Sequence, residues 1–137
     1  MADEAGTAFR PEHFRGTSVL VVDDEPQVCD ILRDFLLREG YKAFIAYTAY
    51  DALASLQRHH PDIILLDIRL PEIDGMECLR RIRALDSHVT VVMVTAVEDE
   101  EVGRKCLGMG AFEYVTKPIS LERLKTCLLL SQLFLHK

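Results

Sequence analysis

The 137-residue sequence has little cysteine, no tryptophan and fewer basic than acidic residues. Its four cysteines, Cys29, Cys78, Cys106 and Cys127, are far apart and form no Cys-x-x-Cys pair. This spacing excludes a zinc site built on such pairs and favours reduced, buried thiols. Sixteen Lys and Arg against 22 Asp and Glu give a net charge of −6, so the basic excess that binds nucleic-acid phosphates is missing. We therefore expect no direct nucleic-acid binding by this chain.

Long hydrophobic runs are missing too. No stretch reaches the roughly 18 apolar residues of a membrane span, and residues 1–10 lack the apolar core of a secretory signal. We expect no membrane contact and a cytoplasmic location. The hydrophobic content of 49% and the length fit a single globular domain. Residues 1–17 are predicted to form a flexible extension, residues 18–134 the domain, and 135–137 a C-terminal end that could join a further output domain.

Short apolar segments alternate with amphipathic ones along the domain. The pattern predicts strands at 18–22, 41–47, 62–66, 89–95 and 112–116, and helices from Pro26 to a stop at Gly40 and over 48–59, 76–85, 98–109 and 120–134. Continuous Ile-Ile-Leu-Leu in the third predicted strand indicates burial on both faces. The sequence thus predicts an α/β doubly wound, three-layer sandwich with a parallel five-stranded sheet.

Polar side chains follow the predicted strands at Asp23, Asp24, Asp67, Thr95 and Lys117. Because parallel strands share one carboxyl edge, these residues are expected to converge there. Three carboxylates repel one another unless a cation lies among them, and their hard oxygens suit Mg²⁺. One carboxylate could then attack a phosphoryl group while an ammonium and a hydroxyl stabilise the spreading charge. Asp67, Lys117 and Thr95 fit these three roles.

Each of these features is weak when taken alone. An Asp-Asp-Glu run before a helix is usually only favourable charge at the helix N-terminus, and a lone Asp after a strand is most often a turn residue. Lys-Pro is a common loop dipeptide, and the sequence leaves open whether the peptide bond before Pro118 is cis. Their joint occurrence at the correct strand ends favours the functional interpretation.

Four segments resemble the receiver domain of two-component response regulators, over residues 18 to about 134. The resemblance implies the flavodoxin-like strand order 2-1-3-4-5. The segments are Val-Val-Asp23-Asp24-Glu25, Leu-Leu-Asp67-Ile-Arg-Leu-Pro71-Glu-Ile-Asp74-Gly75, Val-Thr95-Ala96 and Tyr114-Val-Thr-Lys117-Pro118.

The resemblance implies a phospho-acceptor and a metal site. Asp67 would receive the phosphoryl group from a phosphohistidine on a sensor histidine kinase or a histidine phosphotransfer protein. Asp24 would bind Mg²⁺ directly, Asp23 mainly through metal-bound water, and Asp67 and the backbone carbonyl of Arg69 would complete the protein ligands. The domain would be a signalling module and not an enzyme, beyond assisting its own phosphotransfer and autodephosphorylation.

The resemblance also implies a conformational switch. Lys117 would pair with the phosphoryl group, Thr95 would move to hydrogen-bond it, and Ala96 would leave its approach open. Tyr114 would then turn inward and repack the face of helix 4, strand 5 and helix 5, where partners, including a second copy of the chain, are expected. Three further residues, Pro118, Pro71 and Gly75, are expected to fix loop conformation.

Two positions depart from the expected pattern. Arg69 and Val97 stand where the family tunes the lifetime of the phosphoryl group, and the hydrophobic Val97 favours slow autodephosphorylation. Arg69 also counts against a phosphohydrolase, which would have an acid there, and the acidic loop at Asp23–Asp24 counts against a flavodoxin-like nucleotide binder. A receiver degenerate in chemistry and used only for protein interaction is disfavoured by the intact acid, hydroxyl and lysine set.

The predicted C-terminal helix is hydrophobic on more than one side. Leucines 121, 124, 128 and 135 form one stripe, and residues 129, 130, 133 and 134 extend the apolar surface around the helix. Such a helix needs a second burial surface, which could be the chain's own N-terminal extension, a second copy or an output domain.

Overall fold

The computed structural model describes residues 16–135. Most of the predicted extension at 1–17 and the last two residues therefore lie outside the described part. Five β-strands and five α-helices alternate along it. The strands are β1 Ser18–Val22, β2 Lys42–Ala46, β3 Ile63–Asp67, β4 Thr90–Thr95 and β5 Glu113–Thr116. The helices are α1 Pro26–Arg38, α2 Ala49–His59, α3 Gly75–Leu85, α4 Glu100–Gly108 and α5 Leu121–Leu135.

The five strands form one parallel sheet in the order β2-β1-β3-β4-β5, which confirms the predicted fold class and strand order. Register decides which strand ends meet. Val22 of β1 pairs with Leu66 of β3, so Asp23 and Asp67 leave neighbouring strands side by side. Thr95 of β4 pairs with Thr116 of β5, and Lys117 follows directly.

Two hydrophobic layers cover the sheet. Every residue of β3 and β4 is buried, as the unbroken apolar runs predict for central parallel strands. Ile64 and Leu66 of β3 face α2, α3 and α4, whereas Ile63 and Leu65 face α1 and α5. Each fully buried side chain of this size contributes about 1.5–3 kcal/mol, and this burial holds the strand ends at fixed positions.

Side-chain oxygens cap three helices at their N-termini. The Thr48 hydroxyl accepts from the backbone N–H of Asp51 at 3.0 Å, as predicted for α2. The predicted cap Ser120 of α5 accepts from the N–H of Arg123 at 3.2 Å. Asp74 caps α3, so this helix begins one residue before the predicted start. Each such cap stabilises its helix by about 1 kcal/mol.

The fourth helix differs from the prediction of one helix over 98–109. A 3₁₀ turn spans Val97–Asp99, and α4 covers only Glu100–Gly108. The N–H of Asp99 donates to the carbonyl of Ala96 at 2.9 Å, which closes the tighter turn. The periodicity of the segment therefore marked the helix correctly but not its start.

Helix α5 buries polar side chains as well as leucines. Gln132 is fully buried, and its amide accepts from the Thr17 hydroxyl and donates to the Tyr41 hydroxyl and the Leu128 carbonyl, each at 2.9 Å. Leu130 and Leu133 remain 46% exposed, so the predicted second apolar face is present. The predictions for the side chains of residues 134 and 135 lie outside what the structure describes.

The four cysteines are all buried, as predicted, and no disulfide joins them within residues 16–135. Across residues 16–135, no helix combines the length and apolar character that crossing a bilayer requires.

Candidate functional site

Three carboxylates meet at the carboxyl edge of the sheet. Asp67 ends β3, and Asp23 and Asp24 follow β1. One carboxylate oxygen from each lies within 4.8 Å of the others. Asp23 and Asp67 are buried, at 3% and 4% exposure, while Asp24 is exposed and keeps the cluster open to solvent. The convergence predicted from the strand ends is therefore present.

Lys117 lies against this cluster from the end of β5. Its Nζ donates to Oδ2 of Asp67 at 2.9 Å and lies 3.4 Å from Oδ2 of Asp23 and 3.8 Å from Oε1 of Glu25. The Lys117–Pro118 peptide bond is cis, which the sequence had left open. One ammonium contacts two of the three clustered carboxylates, so negative charge is in excess at the cluster. A divalent cation would balance them, and an all-oxygen donor set of this kind suits Mg²⁺.

The electrostatics of the cluster are visible in two pKa shifts. Burial raises the pKa of Asp67 to about 6, against the hydrogen bonds from Lys117 and from the N–H of Arg69, and the charge of Asp23 raises it further. Burial acts to lower the pKa of Lys117, but the hydrogen bond and charge of Asp67 outweigh it and raise that pKa. Without a cation, a second buried negative charge at this site is therefore unfavourable.

Backbone groups orient the two buried carboxylates. The N–H of Glu25 donates to Oδ1 of Asp23 at 2.9 Å, and the N–H of Arg69 donates to Oδ1 of Asp67 at 3.1 Å. The Cys29 thiol donates to the backbone carbonyl of Asp23 at 3.3 Å. In both cases the backbone N–H of the second residue after the aspartate donates to its Oδ1. This arrangement is a turn typical of Asp. Oδ2 of Asp67 is left facing Lys117.

Gly75 brings the start of α3 against the backbone at the end of β3. Its N–H donates to the Ile68 carbonyl at 2.6 Å. A Cβ at this position would lie 2.6 Å from the Cα of Ile68 and closer still to the carbonyl oxygen of Asp67. Only glycine permits this approach. Pro71 lies exposed in the loop between β3 and α3, and Gly75 is the first residue of α3.

Thr95, Ala96 and Tyr114 lie on the side of the cluster formed by β4 and β5. Thr95 is fully buried, and its hydroxyl donates to the carbonyl of Ala96 at 3.0 Å. Tyr114 is half-buried, and its hydroxyl accepts from Arg104 of α4 at 3.4 Å. A Cβ on Gly103 would lie 3.1 Å from Cγ of the tyrosine ring and 3.5 Å from Cγ2 of Thr95, so this glycine leaves room where the two residues meet α4.

The Arg69 side chain pairs with acidic residues outside the cluster. Its Nε donates to Oδ2 of Asp99 at 2.6 Å, its Nη2 donates to Oδ1 at 3.3 Å, and Nη2 lies 3.5 Å from Glu98. The hydrogen bond from Arg69 to Asp99 raises the pKa of the guanidinium, and the charges of Asp99, Glu98 and Asp67 act in the same direction. Sequence reasoning assigned Arg69 a backbone carbonyl as metal ligand and a side chain that departs from the family pattern, but it missed both acidic partners.

The family model of the response regulator receiver domain matches residues 19–129 of this chain. The chain belongs to the response-regulator receiver family. The match includes all four segments on which the resemblance was based.

Curated relatives of this receiver domain are transcriptional regulatory proteins. ZraR of Salmonella typhimurium is 36% identical over 110 residues, which are 80% of this chain and 25% of ZraR. TrcR of Mycobacterium tuberculosis is 40% identical over 109 residues, which are 77% of this chain and 41% of TrcR. The chain thus spans less than half the length of either relative.

Solved receiver domains share the fold over nearly their whole length. A CheY-like receiver domain protein from Methanospirillum hungatei superposes with a TM-score of 0.80 at 30% identity, over 85% of this chain and 93% of that one. The signal receiver domain of a putative Luxo repressor protein from Vibrio parahaemolyticus gives a TM-score of 0.78 at 30% identity, over 84% and 88%.

The receiver domain places the predicted site residues in two groups. Asp23, Asp24, Asp67 and Lys117 form one contiguous cluster. Thr95, Ala96 and Tyr114 form a second group, in which the Thr95 hydroxyl is bonded to its own loop. The sequence offered no signal for Glu25 beside Lys117 beyond its place in the acidic loop, and Gly103 was noted only as a weak point of the fourth helix.

Proposed function

We propose that this receiver domain accepts a phosphoryl group onto Asp67 from a phosphohistidine, with Mg²⁺ bound, and signals through the face of α4, β5 and α5. One observation carries the proposal. Asp67 presents one carboxylate oxygen to Lys117 at 2.9 Å, and its side chain lies within the cluster of three carboxylates, at the rim of the sheet. A nucleophile, a cation for the phosphoryl oxygens and a set of metal ligands are thus assembled by three different strand ends.

In the proposed reaction, a carboxylate oxygen of Asp67 forms a bond to phosphorus as the phosphorus–nitrogen bond of the phosphohistidine breaks. The leaving imidazole nitrogen takes up a proton, and an aspartyl phosphate is formed. Mg²⁺, held by Asp23, Asp24, Asp67 and the carbonyl of Arg69, would neutralise charge on the transferring group when bound. Lys117 can hold a phosphoryl oxygen, because its Nζ already lies at Oδ2 of Asp67.

The switch is proposed to begin at Thr95. Its hydroxyl now donates to Ala96, and it would turn to donate to a phosphoryl oxygen instead. Ala96 carries only a methyl group beside that approach. Movement of Thr95 would open space for Tyr114, whose ring already lies against Gly103 where α4 has no side chain. The rearranged face of α4, β5 and α5 would then bind a partner, including a second copy of the chain.

The phosphoryl donor must reach Asp67 past the rim of the site. A groove of about 590 Å³ runs beside Lys117, between α1 and the loop before α5, and its other lining residues are apolar. Ile31 in this groove is 59% exposed. We propose that the histidine kinase or phosphotransfer protein that carries the phosphohistidine docks on this surface. Exchange with such a partner would place the domain in the cytoplasm.

The proposal is tested by incubating the chain with Mg²⁺ and a small-molecule phosphodonor and measuring its intact mass. We expect the wild type and Asp34→Asn, which alters an exposed carboxylate on α1, to gain one phosphoryl group that hydroxylamine removes. Asp67→Asn should gain none, because an amide is no nucleophile here. Equal adducts on the wild type and Asp67→Asn, or none on the wild type, would overturn the proposal.

A further inference from the structure

The ion pair between Arg69 and Asp99 joins two loops that are separate in the sequence. Arg69 lies in the loop after β3, and Asp99 ends the 3₁₀ turn after β4. The guanidinium makes a two-point contact with the Asp99 carboxylate, through Nε at 2.6 Å and Nη2 at 3.3 Å. Glu98 lies 3.5 Å from Nη2 and adds a second, longer contact.

Both ends of this pair connect directly to the site. The N–H of Arg69 donates to Oδ1 of Asp67 at 3.1 Å. The N–H of Asp99 donates to the carbonyl of Ala96 at 2.9 Å, and the same carbonyl accepts from the Thr95 hydroxyl at 3.0 Å. The ion pair therefore connects Arg69 to the turn whose Ala96 carbonyl accepts from the Thr95 hydroxyl.

Packing does little to keep the Arg69 side chain where it is. The side chain is 63% exposed, so its position depends on the carboxylates of Asp99 and Glu98. Exposed pairs of this kind are weak, and a stronger anion nearby can compete for the guanidinium. A phosphoryl group on Asp67 would be such an anion, since it brings close to two negative charges and oxygens that match the guanidinium fork.

We propose that Asp99 holds Arg69 away from Asp67 in the unphosphorylated protein, and that Arg69 turns from Asp99 to the phosphoryl group once Asp67 is modified. Arg69 is then a phosphoryl-binding residue, and Asp99 is a positioning residue that competes for it. Release of Asp99 frees the 3₁₀ turn at the start of α4. This inference rests on the proposed phosphorylation of Asp67.

The test is the equilibrium affinity for fluoroberyllate, a phosphoryl mimic, in the presence of Mg²⁺. Asp99→Asn removes the competing charge, so it should bind about two- to five-fold tighter than the wild type, the range expected for an exposed ion pair. Arg69→Gln should bind more weakly than the wild type. In the Arg69→Gln background, Asp99→Asn should change nothing further, because the guanidinium is gone. Glu98→Gln, which alters the longer contact, should have a smaller effect than Asp99→Asn.

A second readout follows the turn itself. Amide resonances of residues 96–99 should shift on adding fluoroberyllate to the wild type, and the shift at Asp99 should shrink in Arg69→Gln, because coupling between two sites is reciprocal. Asp99→Asn should fold, since within the described residues its carboxylate caps no amide of α4; Asp99→Ser is the alternative variant.

The outcomes separate the two proposals. A wild type that binds no fluoroberyllate overturns the phosphoryl-acceptor proposal, and this inference with it. A wild type that binds, with unchanged or weaker binding by Asp99→Asn, overturns only the Arg69 inference. An equal tightening by Asp99→Asn with and without Arg69 would also refute it.

Discussion

Asp67 is 4% exposed, yet its proposed chemistry needs an ionised carboxylate. Lys117 and the N–H of Arg69 favour the ionised form, whereas burial and the charge of Asp23 oppose it. Burial dominates in the absence of a cation, and the pKa rises to about 6. Asp67 is therefore expected to lower the stability of the metal-free protein at neutral pH. A bound cation would favour its ionised, nucleophilic form.

This cost gives a prediction for Asp67→Asn in buffer with a metal chelator. An unfolded Asp has a pKa of about 3.9, whereas the folded value is about 6, so the folded protein holds the extra proton between them. The stabilisation that comes from this proton on Asp67 is fully present below pH about 4 and is lost as the pH rises through about 6. The free energy of unfolding of Asp67→Asn should thus rise relative to that of the wild type, by about 1–3 kcal/mol between pH 4 and pH 7.

Urea unfolding of both proteins across this pH range measures the difference. Repeating the series with excess Mg²⁺ is the control, because a bound cation favours the ionised carboxylate and should flatten the slope. A stability difference that stays constant with pH in the chelator would contradict the assigned cause.

Arg83 connects the adjacent ends of α3 and β4 to the turn at Gly110, which lies 27 residues further along the chain. Its half-buried guanidinium donates to the carbonyls of Val89 and Gly110 at 2.7 Å and of Asp86 at 3.3 Å. It thereby ties the end of α3 to the start of β4 and to the turn before β5. Burial lowers the pKa of this arginine, which reflects the cost of placing its charge there.

Arg83→Met keeps the aliphatic length but removes all the donors. We expect it to lower the free energy of unfolding by about 1–3 kcal/mol, because the carbonyls lose their partners. Arg83→Lys should recover part of that loss, since one ammonium can reach fewer of the three carbonyls. Denaturant melts of the three proteins decide this, and equal stability of Arg83→Met and the wild type would show that the carbonyls do not depend on Arg83.

The junction of β3 and α3 depends on a single glycine. Gly75→Ala would place a Cβ against the backbone of Asp67 and Ile68, which cannot move as a flexible side chain would. We expect a loss of about 1–3 kcal/mol of stability and slower phosphorylation, because the acceptor shifts with its strand end. Gly108→Ala is the matched control: it also lies in a helix, but nothing lies within 4 Å of its Cβ position.

Stability and phosphorylation rate are measured side by side for the two variants. Gly108→Ala should be neutral or more stable by up to about 1 kcal/mol, since alanine is the better helix former. If Gly75→Ala matched it in both measurements, close backbone approach would not be the reason for glycine at this position.

The arrangement of strands and helices could be predicted because it depends on features local in sequence. Apolar runs such as Ile63–Leu66 indicate burial on both faces of the sheet, and Asp67 and Lys117 mark the ends of strands. The start of α4 was misplaced because a 3₁₀ turn, closed by the hydrogen bond from the N–H of Asp99 to the carbonyl of Ala96, precedes the helix.

Contacts between side chains that are distant in sequence could not be predicted. Arg69 and Asp99 are 30 residues apart, and Gln132 and Tyr41 are 91 apart. Each pair depends on how long side chains settle once the layers are packed, and a single sequence carries no periodic signal for that. The acidic cluster was predictable because strand ends alone determine it, whereas the partners that tune it were not.

The domain as one folded unit should be stabilised by the cation that its site is proposed to bind. A ligand that binds only the folded state adds RT ln(1 + [L]/Kd), about 2.7 kcal/mol at a concentration of 100 Kd. For a chain of this length we expect Mg²⁺ to raise the Tm by roughly 5–15 °C over buffer with a chelator. Asp24→Asn should lose most of this shift, because it removes an exposed ligand from the cluster without opening the core.

Asp34→Asn, which changes an exposed carboxylate of α1 outside the cluster, should keep the full shift. Potassium chloride at matched ionic strength separates metal binding from screening of the acidic surface, since screening acts on all the proteins alike. Scanning calorimetry of the wild type and the two variants measures these differences. If Mg²⁺ raised the Tm of Asp24→Asn as much as that of the wild type, the stabilisation would come from the net charge of −6 and not from a metal site at the sheet edge.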